Sequence, residues 1–141
     1  MKKINLRNTI LFILCIFINL LIGNIALLLM LPDLPVIYHV LISLGILIIY
    51  GIAFYKSGLQ NKEYTKWQLA GIAVLLSLLG MMIACIFTSI GIRLPMDNMI
   101  TAAIKGIIPM FIFAIVFASP FWIPLAIVNF VCLNYVKRPE K

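Results

Sequence analysis

The chain has 141 residues, of which 65% are apolar and 11% charged, and its formal net charge is +7. Soluble domains average about 45–50% apolar and about 25% charged residues, so a soluble globular domain and a disordered chain are both excluded. Nucleic-acid binding is excluded as the origin of the positive charge, because no basic domain carries it; an all-α integral membrane protein remains.

A bilayer span needs about 20 mostly apolar residues. Four stretches qualify, at about residues 9–31, 36–54, 69–91 and 107–135, and they predict one membrane domain over 1–141. The first follows a charged start, Met1-Lys2-Lys3-Ile4-Asn5-Leu6-Arg7. Its apolar run exceeds the about 7–15 residues of a signal-peptide core and no small-x-small cleavage site follows, so it is expected to be a retained helix. Asn19 and Asn24 lie within it. An amide in hydrocarbon must find a partner, so both are expected to face other helices.

Pro32-Asp33-Leu34-Pro35 predicts a tight turn, making spans one and two an antiparallel hairpin. In span two, His39, Ser43 and Tyr50 fall close to one helical face. That stripe is either a pH-sensitive or ligand-facing surface or a set of interhelical hydrogen bonds, and the second reading is the plainer one. No second His, Cys or carboxylate stands at ligand spacing beside His39, so no metal site is expected.

The polar stretch Lys56 to Lys66 leads through Trp67 into span three. There Ala73, Ser77, Gly80, Ala84, Thr88 and Gly91 recur at steps of three and four. Small residues at that spacing line one face and let another backbone come close. The stripe is expected to pack against helices of the same chain or to dock a partner. Beyond Leu94-Pro95, Asp97 is placed to cap a short helix starting at Asn98, either lying in the interface or forming the top of span four.

Span four contains Pro109, then Ser119-Pro120-Phe121-Trp122-Ile123-Pro124, and near its end Asn129. From residue 107 to 135 a helix measures about 43 Å, against a hydrocarbon core of about 30 Å. Pro120 and Pro124 each remove a backbone donor, so the segment is expected to kink or break, with Trp122 at membrane depth. Carbonyls freed near Ala118 and Pro120 then need partners or water. The break is either curvature of a packed bundle or, as in transporters, part of a path.

Of eleven positive charges, nine lie in the N-terminal tail, the second loop and the C-terminal tail. The positive-inside rule puts both termini in the cytoplasm, and that basic side would meet anionic headgroups. Asp33, Glu63, Asp97 and Glu140 all fall in loops or tails. Without intramembrane carboxylates, proton-coupled transport and acid–base catalysis lose their usual carriers. The three cysteines, Cys15, Cys85 and Cys132, form no Cys-x-x-Cys. No catalytic residue and no cofactor is expected. The sequence therefore points to a non-enzymatic protein, in composition suited to a bacterial inner membrane, that binds another membrane component as an accessory subunit or immunity-type protein. The alternative is an oligomeric channel or transporter for a neutral or lipid-like solute. The partner is accordingly another membrane protein or further copies of the chain.

Overall fold

A computed structural model describes residues 6–56, 64–94 and 96–136. The fold is all-helical, with α1 (Leu6–Met30), α2 (Val36–Lys56), α3 (Lys66–Arg93), α4 (Met99–Phe117) and α5 (Ser119–Val136). The first four are long and apolar enough to cross a membrane, and α5 is a shorter apolar helix. Large apolar side chains such as Phe17, Leu29, Ile48 and Ile108 are exposed around the outside, which suits a hydrocarbon solvent rather than water. Most of the basic tails and second loop, including Lys62, Lys137 and Arg138, lie outside the described residues.

Local sequence explains the helix ends. Thr65 and Gln68 form a capping box at α3: Thr65 Oγ1 accepts from the Gln68 N–H at 3.3 Å, and Gln68 Oε1 accepts from the Thr65 N–H at 2.9 Å. At α4 the cap is Asn98, one residue later than the sequence suggested; its Oδ1 accepts from the Thr101 N–H at 2.9 Å. Asp97 instead meets Lys105 Nζ at 3.0 Å. With that cap in place, the segment after Asn98 is the first turn of α4 itself and not a separate interfacial helix.

The predicted fourth span, 107–135, thus divides into two helices that start earlier and meet at Ala118. The carbonyls at this junction are met by side chains. Pro120 has no N–H to offer Val116, and Ser119 Oγ donates to the Val116 carbonyl at 2.9 Å. Trp122 Nε1 donates to the Ile115 carbonyl at 3.1 Å, while the N–H groups of Phe121 and Trp122 both turn to the Ala118 carbonyl.

α3 is the spine, packing against α2, α4 and α5; α1 packs against α2 and α5 and makes no backbone contact with α4. At the end holding the start of α1 and the end of α5, a core closes around Phe12, Phe54, Leu69, Ala73 and Leu133, with Phe12 and Phe54 stacked at 4.1 Å. At the opposite end, Gly91 admits Leu34 and Tyr38 of the first hairpin.

The tightest seam joins α3 to α4. Ser89 Oγ, fully buried, donates to the Ala102 carbonyl at 2.5 Å, and a Cβ at Gly106 would collide with Ser89. Ala102 and Gly106 are a small-xxx-small pair, which allows such close approach. Gly106→Ala should therefore destabilise the fold by about 1–3 kcal/mol, measured by unfolding in mixed detergent micelles, and Ser89→Gly in the same chain should recover most of that loss.

Candidate functional site

Two polar clusters sit inside the bundle. The deeper one joins four helices. Asn129 of α5 is 1% exposed and Asn19 of α1 is 4% exposed. Asn19 Nδ2 donates to Asn129 Oδ1 at 2.9 Å and to the Cys15 carbonyl at 2.8 Å. The Tyr50 hydroxyl of α2 stands 2.9 Å from both Asn19 Oδ1 and Asn129 Oδ1, so its single proton is divided between them. Asn129 Nδ2 donates to Tyr50 Oη at 2.7 Å and to Ser77 Oγ of α3 at 2.9 Å. Ser77 passes its own proton back to the Ala73 carbonyl at 3.1 Å. Both N–H donors and both oxygen lone pairs of Asn129 are thereby used. The Cys15 thiol adds a weak bond to Asn129 Oδ1 at 3.4 Å.

The second cluster binds α1 to α2. Asn24 Nδ2 donates to Ser43 Oγ at 3.0 Å and to the Leu20 carbonyl at 2.8 Å, and its Oδ1 faces His39 Nδ1 at 3.1 Å. Because Asn24 Oδ1 can only accept, His39 carries its proton on Nδ1, and Nε2 is left buried without a partner. The six polar residues singled out in the sequence thus divide into Asn19, Tyr50 and Asn129 in one network, with Ser77 from the stripe, and Asn24, His39 and Ser43 in another.

Between these clusters and α4 lies a cavity of about 430 Å³. Asn19, Tyr50 and Ser77 form its floor at the closed end of the bundle. From α1 it is bounded by Gly23, Ala26 and Met30, and from α4 by Met110, Phe113 and Ala114. No backbone contact joins α1 to α4, which leaves a gap between the two helices that bound the cavity on that side. Trp122 and Phe121 of α5 line the cavity beside the Ala118 junction, and Arg93 reaches it at the far end of α3.

The stripe on α3 therefore has several surroundings. Ala73 is buried in the core below the floor. Ser77, Gly80, Ala84 and Thr88 line the cavity, and Gly91 receives Leu34 and Tyr38. A Cβ on Gly80 would meet only Ile46, at 3.9 Å, so a larger residue there enters cavity space rather than a facing backbone. The closest helix approach lies on another face of α3, at Ser89 and Gly106, which the stripe did not include. Pro124, unlike Trp122, is exposed on the outside of α5, as is Pro120. Among the described residues no group of three or more His, Cys, Asp or Glu could hold a metal.

No family model, no curated protein and no solved structure matches the chain.

Truncating Asn129 strands Asn19, Tyr50 and Ser77 together. Asn129→Ala should cost about 2 kcal/mol or more, whereas Asn24→Ala should cost less, because the bonds of Asn24 are only part-buried. A double-mutant cycle between Asn19 and Asn129 should give a coupling of about 0.6–1.7 kcal/mol, and additive losses would show that the two amides are independent.

Proposed function

We propose that this is a non-enzymatic multi-pass membrane protein that acts by binding another membrane component, and that the component enters the cavity between α1 and α4. The observation that carries the reading is the shape of that cavity: apolar, at membrane depth, and bounded on one side by the gap between α1 and α4. Pockets that hold small ligands are concave and mostly apolar with a few fixed polar groups; here Asn19, Tyr50 and Ser77 of the floor are engaged with Asn129, and Arg93 at the far end is the charged lining residue.

A path for solute across the membrane, the competing reading, is disfavoured by the same geometry. Below the floor the bundle is filled by Phe12, Phe54, Leu69 and Leu133, so the cavity is blind. At the Ala118 junction, Ser119 and Trp122 meet the Val116 and Ile115 carbonyls, which reduces the polar backbone that a water path would use. Ser89 meets Ala102 and Ser77 meets Asn129. Along α3 the first pair is about 18 Å from the second, yet residues 102 to 129 would measure about 40 Å as one straight helix. The chain from Ala102 to Asn129 is therefore longer than the stretch of α3 it spans, and the division into α4 and α5 at Ala118 accommodates the difference.

The charge distribution supports both termini facing the cytoplasm, with the open end of the cavity toward the outer leaflet of a bacterial inner membrane. Reporter fusions at Asp33 and Asp97 should then read external, and fusions after Lys62 and at the C-terminus should read cytoplasmic; an external C-terminus would overturn this orientation.

Binding is checked by purification in mild detergent. The parent chain should carry a hydrophobic component in about stoichiometric amount, and Gly80→Leu, which fills the cavity, should lose it while keeping its helix content. A cysteine at Ala84, with Cys15, Cys85 and Cys132 replaced, should resist a membrane-impermeant thiol reagent. Rapid labelling there would mean that water fills the cavity, as a conduit requires.

A further inference from the structure

The cavity has one charged lining residue, Arg93, at the end remote from the floor. Arg93 is half-buried and stands against α4, close enough that a Cβ on Gly106 would lie 3.4 Å from its Nε. Among the described residues the ion pair joins Lys105 to Asp97, and none of their carboxylates pairs with Arg93. A guanidinium at the edge of an apolar chamber without an anion keeps its fork of donors open. Everything below it, from Thr88 through Ala84 and Gly80 to the Asn19–Tyr50–Ser77 floor, is built for an apolar chain.

Resting on the cavity reading above, we propose that the occupant is an anionic phospholipid, with one acyl chain in the cavity and its phosphate on Arg93. Three features choose this occupant. The gap between α1 and α4 lets the second acyl chain stay in the bilayer while the first is held. Arg93 lies at the end of a membrane-crossing helix, at the level where headgroups sit. Arginine matches phosphate in a two-pronged geometry that a zwitterionic headgroup, with its own cation beside the phosphate, satisfies less well. Lys105, next to Gly106 in α4, is paired with Asp97 and does not compete with Arg93 for the lipid.

Trp122 lines the cavity and the other tryptophan, Trp67, is 87% exposed at the start of α3. A Trp67→Phe chain therefore reports on the cavity through Trp122 alone. The experiment places this chain in phosphatidylcholine nanodiscs with increasing fractions of phosphatidylglycerol brominated on its acyl chains, and reads quenching of Trp122. We expect a saturating component at low mole fraction, absent when the brominated lipid is phosphatidylcholine. Arg93→Gln should raise the half-saturating fraction about tenfold, in line with loss of a charge-assisted contact, and Gly80→Leu should abolish saturation. If brominated phosphatidylcholine saturates equally and Gly80→Leu removes both signals, the cavity holds lipid without charge selection and the proposal fails while the binding site stands. If brominated free fatty acid saturates and brominated phosphatidylglycerol does not, the occupant is a single-chain carboxylate and the proposal also fails. If no lipid gives a saturating component and Gly80→Leu behaves as the parent, the lipid proposal and the cavity reading fall together.

Discussion

The bundle depends on satisfying one amide. Asn129 sits in α5 with no water available, and an unpaired amide in hydrocarbon costs several kcal/mol. Its two N–H groups and two lone pairs are met by Asn19, Tyr50 and Ser77, one from each of α1, α2 and α3. Hydrogen bonds of 2.7–2.9 Å fix both rotation and height, so four helices are set in register at one point. Between apolar helices in lipid, packing alone discriminates weakly among registers, because lipid tails are as apolar as leucine. The polar contact supplies the discrimination.

α4 takes no part in that contact, and the asymmetry of the molecule follows. It is held to α3 by Ser89, Ala102 and Gly106 and has no partner on its α1 side. Four helices converge on Asn129 and the fifth stands off, so space remains between α1 and α4 on one side of the polar floor while the other side is densely filled. The floor therefore both locks the bundle and bounds the cavity.

How much of this could be read from residues alone divides by range. The all-helical membrane architecture was legible, since span length and apolar content are properties of single segments. Asn19, Tyr50 and Asn129 were legible as polar residues in need of partners, because the cost of an unpaired amide does not depend on the fold. Which partners they would find was not, since Asn19 and Asn129 stand 110 residues apart. Asn98 in place of Asp97 as a helix cap is a choice between adjacent residues of similar capping strength, which only backbone geometry decides. The Ser89–Gly106 seam carried a signal, the Ala102-xxx-Gly106 pair, but the longer stripe from Ala73 to Gly91 drew attention to another face. The cavity was invisible because it arises from a contact that two helices do not make. Arg93 stands just past the predicted third span, 69–91, where nothing local ties it to a cavity.

The hydrogen bonds at the Ala118 junction are all short-range: Ser119 to Val116, three residues away, and Trp122 to Ile115, seven residues away. A helical interruption whose carbonyls wait for a distant chain segment would be a barrier to entering hydrocarbon. Here the Ile115 and Val116 carbonyls are met by neighbours within the same segment. These two contacts need no other helix, so the break between α4 and α5 is encoded within its own segment, whereas the Asn129 cluster is complete only when α1, α2 and α3 are packed against α5.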